Sequence, residues 1–114
     1  MEKSLVFSFY KEDTLLCNKY SDLSCEYFFD VDKQRVDYAM CPKNGEGIED
    51  FLKERIFPEA RVDKKRVLKS LNIPFYDVML ICKRTNGVMF DDVYWVRFPD
   101  SGVNSYKEAL ERVI

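Results

Sequence analysis

The chain contains no histidine. With it go the commonest general base and the Ser-His and Cys-His nucleophile pairs. Its four cysteines, Cys17, Cys25, Cys41 and Cys82, include no C-x-x-C pair, so neither a zinc knuckle nor a thioredoxin-type redox site has a ligand spacing to start from. Glycine and proline number four each, and Gly45 and Gly47 make only a G-x-G, without the third glycine of a phosphate loop. No apolar run approaches the length of a membrane span, and the Leu5-Val6-Phe7 run is shorter than the apolar core of a secretory signal. These absences lead to a reading without metal, cofactor or membrane, and to thiols kept reduced in a cytoplasm.

What is present is a globular composition: 46% hydrophobic and 33% charged residues in a chain of 114, the size of one domain (1–114). Aromatic residues are in surplus, with nine Phe and seven Tyr. Such rings either fill the core or face a partner, because interface centres favour Tyr, Trp and Phe. The net charge of −2 is spread in both signs. The densest basic run, Arg61-Val62-Asp63-Lys64-Lys65-Arg66 with Lys69, would spread around a helix rather than form a phosphate track, so nucleic acid is not favoured as a partner.

The first part, residues 1–41, reads as β-rich. Leu5–Tyr10 is a strand, Lys11–Thr14 a turn, and Leu15-Leu16-Cys17 the start of a second strand. Ser24–Val31 and the alternating Arg35–Met40, separated by Asp32-Lys33-Gln34, are expected to pair as a hairpin. Cys41–Gly47 is the clearest break, and the Cys41 thiol is expected to be the most exposed of the four. Residues 48–114 then change period. Ile48, Phe51, Leu52 and Ile56 make one helical stripe stopped by Pro58, and Asp63 is the expected N-cap of a helix carrying Val67, Leu68 and Leu71. A third helix carries Val78, Met79, Ile81 and Cys82 and ends at Asn86-Gly87, with Cys82 as inert core. After an extended Phe90–Phe98 segment, Asn104 or Ser105 caps a last helix with Tyr106, Ala109, Leu110 and Val113. The expected class is α+β: a small antiparallel sheet from the N-terminal half packed with a C-terminal cluster of three to four short helices.

Paired carboxylates are the remaining chemistry. Asp30/Asp32 reads as the shoulder of a hairpin, and Glu49/Asp50 as solvated charge in a first helical turn. Asp91/Asp92 adjoins the aromatic Tyr94-Trp95 step. One aspartate there is expected to receive backbone amides and the other to pair with Arg55 or Arg61; alternatively, those two arginines bind a phosphate or a partner's carboxylate. With no nucleophile–base pair in sight, enzymatic activity is not expected.

Phe51-Leu52-Lys53-Glu54-Arg55-Ile56-Phe57-Pro58-Glu59-Ala60-Arg61, then a helix ending Leu68-Lys69-Ser70-Leu71-Asn72-Ile73, then Thr85-Asn86-Gly87 and Asp91-Asp92-Val93-Tyr94-Trp95-Val96, follow one another in that order. Together they resemble the non-catalytic leader region of HipA-like proteins of Gram-positive bacteria and their phages. The likeness spans about residues 48 to 98. The kinase-like body of that family has no counterpart here, so no catalytic residue carries over. The resemblance implies a stand-alone leader module of a toxin–antitoxin or phage-related system. Its partner would be a protein, either a kinase-like toxin or a defence effector, with a homodimer left open. Arg55, Arg61, Asp92, Tyr94 and Trp95 are the candidate residues, as contacts or as the framework behind them. A reading from another class is a phage-encoded inhibitor of a host defence nuclease (anti-CRISPR-like), with Glu46–Glu54 and Asp91–Asp92 as acidic mimics.

Overall fold

A computed structural model describes residues 3–113, and its class is α+β. Strands β1 (Leu5–Lys11) and β2 (Thr14–Tyr20) form a hairpin whose turn places Glu12 in the left-handed region at φ 51°. Strand β3 (Cys25–Tyr27) adds to the outer side of β2. Strand β4 (Tyr94–Arg97) comes from the far end of the chain and pairs with β1. The sheet is antiparallel throughout, in the order β3-β2-β1-β4. The chain's last third thus completes a sheet begun by its first residues.

Around the sheet lie five short helices: α1 (Arg35–Met40), α2 (Ile48–Leu52) with a following 3-10 turn (Lys53–Arg55), α3 (Lys64–Ser70), α4 (Val78–Thr85) and α5 (Tyr106–Glu111). Their ends follow the chemistry of their caps. The Asp77 carboxylate accepts the Leu80 amide at 3.0 Å to open α4, and the Ser105 hydroxyl accepts the Glu108 amide at 3.2 Å to open α5. Asn86 ends α4 in the left-handed conformation at φ 55°, which asparagine tolerates better than most residues.

Successive strand residues face opposite ways, so the sheet has two differently furnished sides. On one, Phe7 and Phe9 lie 5.6 and 5.4 Å from the Phe51 ring of α2, and Tyr94 stacks on Phe9 at 5.6 Å. Leu52, Ile81 and Cys82 are buried against the same core. On the other side Trp95 stacks on Tyr10 at 4.9 Å and is covered by Val103 and by Ala109 of α5. The surplus of rings is therefore largely a two-sided aromatic core.

Two local expectations fail. Residues 35–40 form helix α1 and not the second strand of a hairpin, and β3 takes β2 as its partner instead. The cause is tertiary. Asp37 is pulled inward to receive hydrogen bonds from the Tyr94 hydroxyl and the Gln34 amide, while Val36 is left 77% exposed, the reverse of what the alternating pattern assigns to a half-buried strand. An Asx turn starts the helix: Asp30 Oδ1 accepts the Asp32 and Lys33 amides. The Lys43 ammonium ends it by donating to the carbonyls of Tyr38 and Cys41. That closure also buries Cys41, expected to be exposed, at 3% exposure under a buried Pro42. Cys25 is the most accessible of the four free thiols.

Asp63 occupies the N-cap position of α3 as expected, but its carboxylate does not bond the helix amides. It receives Arg61 and Arg66 instead.

Candidate functional site

The five residues singled out by sequence divide into a framework and a surface. Arg55 leaves the 3-10 turn and enters the interior, where it is 3% exposed. Its guanidinium meets Asp92 as a fork, Nη1 to Oδ2 at 2.8 Å and Nη2 to Oδ1 at 2.9 Å. It also donates through Nε to the Gly87 carbonyl at 3.1 Å and through Nη2 to the Tyr94 carbonyl at 2.8 Å. One side chain thus ties α2's extension to the α4 terminus and to β4, with the fork geometry that distinguishes arginine from lysine.

Gly87 is required at this junction. Its φ is 59°, and a Cβ there would stand 3.0 Å from Val96 Cγ2 and 3.2 Å from Arg55 Cβ.

Asp92 carries both roles divided between the aspartate pair in the sequence reading: it binds Arg55 and accepts the Tyr94 amide at 3.0 Å. Burial pushes its pKa up, but the Arg55 hydrogen bonds and the Tyr94 amide outweigh this and hold the carboxyl below the usual range. Asp91 is exposed.

Tyr94 lies between two charged groups. Its carbonyl receives Arg55, and its hydroxyl donates to Asp37 Oδ1 at 2.6 Å. Desolvation, followed by the Asp37 hydrogen bond, raises the phenol pKa, and the same Tyr94 bond is the largest cause lowering that of Asp37. Lys11 Nζ completes the group at 3.4 Å from Asp37. Trp95 points to the opposite side of the sheet, fully buried, with its indole N–H donating to the Glu12 carbonyl at 2.6 Å. Arg55, Asp92 and Tyr94 are therefore brought together and Trp95 stands behind them; Arg55, Tyr94 and Trp95 are buried and Asp92 is partly so.

Arg61 is the exception. Its side chain is 48% exposed and pairs with its neighbour Asp63 rather than with Asp92. It lines an open groove of about 610 Å³ between the 56–61 loop, α3, α4 and the 88–91 loop. The floor is Ile56, Phe57, Leu71, Ile81 and Val88. Met89 and Phe90 also line it, and Phe90 is 81% exposed. Sequence reasoning did not single out this groove. The available signal is the Val88-Met89-Phe90 run, three apolar residues between a helix stop and a pair of aspartates, outside any amphipathic period. Arg55 and Asp92 lock the base of that loop from below, so its tip is presented on a rigid support.

The Cys41 and Cys82 thiols are pushed up from 9.0 to about 12 by burial, which disfavours the thiolate. Among the described residues no group of three or more Cys, Asp or Glu side chains is arranged to hold a metal ion, and no helix is long and apolar enough to cross a membrane. Compared with protein-family models, with curated proteins and with solved structures, the chain matches none of them.

Proposed function

We propose that this chain is a non-catalytic protein-interaction module of a toxin–antitoxin or phage-related system, a relative of the HipA-like leader region, and that the 56–61/88–91 groove is its contact surface. The observation that carries the reading is the exposed Phe90 beside an apolar groove, mounted on the buried Arg55–Asp92 clamp. A large ring held in water on a rigid base is poor for solubility and well suited to recognition, since aromatic anchors supply much of the energy at interface centres. The resemblance adds the system: of its positions, Arg55, Pro58 and Arg61 line this groove and Asp92 holds Arg55.

The test is affinity capture from host lysate with the wild-type chain and a Phe90→Ser/Arg61→Glu variant, both checked for an unchanged melting temperature. A kinase-like protein retained by the wild type and lost with the variant supports the module. Retention of a nuclease effector instead moves the chain to the inhibitor class. A set of captured proteins identical for both chains removes the groove as the contact surface.

A further inference from the structure

The groove's surroundings restrict what can occupy it. Positions 61–69 hold five of the chain's 18 lysines and arginines but one of its 20 aspartates and glutamates. That carboxylate, Asp63, is shared by Arg61 and Arg66. Among the described residues, Lys64, Lys65 and Lys69 have no carboxylate within ion-pairing distance. An overall acidic chain thus concentrates unbalanced positive charge on one short helix and the turn before it.

That helix is a wall of the groove. Val67 and Ser70 of α3 and Leu71 just after it line it, and Arg61 lines it from the preceding loop. Lys64, at the start of α3, does not line the groove itself but borders an adjoining hollow together with Arg61, which lines both. Lys65 and Lys69, one turn apart, border a second hollow of about 440 Å³ on the other flank of α3, with Leu68, Ile73 and Pro74. The lining also includes one carboxylate, Asp91, beside Phe90. It therefore carries charge of both signs, and an occupant with charge on one side has a preferred orientation.

We infer that the groove docks an acidic amphipathic segment of a partner protein. Its apolar residues enter between Phe57, Leu71, Met89 and Phe90, and its carboxylates turn toward Arg61 and Lys64. An amphipathic helix laid in a groove presents its anchors in this way. A nucleic acid fits less well: the arginines lining the groove, Arg55 and Arg61, are each held by an aspartate and do not form the continuous basic track on which single strands are bound. The inference rests on the interaction-module reading and specifies its partner.

The deciding experiment pans a displayed library of short random peptides on the immobilised full chain, then measures fluorescence anisotropy of the enriched peptides. Support is enrichment of sequences that combine large apolar residues three or four apart with an excess of Asp and Glu. Their binding should weaken about tenfold or more with Phe90→Ser and, separately, with Arg61→Glu/Lys64→Glu, and should fall as salt rises. Lys33→Glu, an exposed charge change outside the groove lining, should leave it unchanged. Enriched peptides that are neutral or basic, yet still lost with Phe90→Ser, overturn the acidic partner and leave the docking surface standing. Enrichment of no peptide sensitive to Phe90→Ser overturns the groove itself and the reading beneath it. A single-stranded oligonucleotide, or vesicles of phosphatidylcholine and phosphatidylserine, bound through Lys64 but indifferent to Phe90 would overturn the protein partner.

Discussion

Arg55 and Arg61 stand on either side of Pro58 in one short stretch, yet they live in different media. Arg55 is buried, forked onto Asp92 and bonded to two carbonyls; Arg61 is half exposed and shares Asp63 with Arg66. The sequence makes them look like a symmetric pair around a proline stop. The structure makes one a tie between three elements and leaves the other on the rim of a groove. A buried ion pair whose partner is removed leaves an uncompensated charge, whereas an exposed pair is screened by water and contributes little. The same side chain therefore has a structural role in one place and is free for recognition in the other.

That contrast is open to attack by mutation. The largest effect belongs to the ring behind the clamp. Trp95→Ala should destabilise by about 3–5 kcal/mol, because Trp95 is fully buried and its hydrogen bond to the Glu12 carbonyl disappears with it. Denaturant melts measure this, and a loss confined to a few tenths would mean the ring is not core.

Arg55→Ala comes next. Breaking a buried pair costs about 3–5 kcal/mol, and the lower end applies here because the Asp92 side chain keeps 19% exposure. Replacing Arg55 and Asp92 together should cost less than the sum of the single changes, and a double-mutant cycle reads that coupling. Additivity of the two changes would show that the clamp is geometric coincidence.

The clamp also has a pH signature. Asp92 and Asp37 both titrate below the ordinary carboxylate range in the folded chain. Their contribution is fully present above the unfolded aspartate value of about 3.9 and is lost as pH falls through the lower folded values. At the other end, the Cys82 thiol moves from 9.0 to about 12 on burial. Its folded form keeps the proton, so stability is lost as pH rises from about the unfolded thiol value toward 12. Thermal melts across pH should show a plateau between these limits, and Asp92→Asn should flatten its acid edge. An acid edge unchanged by that substitution would remove Asp92 from the account.

The smallest effect sharpens the comparison most. Arg61→Ala should leave stability within about 0.5 kcal/mol of wild type, as for exposed pairs generally. A loss as large as that of Arg55→Ala would make Arg61 part of the framework and weaken its assignment to the groove.

Legibility followed the locality of the signal. The β1–β2 turn and the Asn86 terminus are set by neighbours within a few residues and were readable, and the last helix is capped by Ser105, one of the two candidates, Asn104 and Ser105, that its sequence offers. The burial of Cys82 followed from its place in a helical stripe. Residues 35–40 misled because their alternation is real, but the polar member Asp37 has a partner, Tyr94, from the far end of the chain. Cys41 misled because the loop around it is folded inward by Lys43. The groove was invisible for a simpler reason: its walls come from stretches far apart in sequence, which only the folded chain brings together beside Phe90.

The sequence by itself determined the class of the fold, the positions of most helices and the absence of histidine-based chemistry, because periodicity, capping and composition act over short distances. Only the tertiary structure decided which arginine is buried, which aspartate it holds, on which side of the sheet Trp95 lies, and where an apolar surface remains open. Those outcomes depend on contacts between residues dozens of positions apart, and the free energy of desolvating a charge or a ring is set by what surrounds it once the chain has closed.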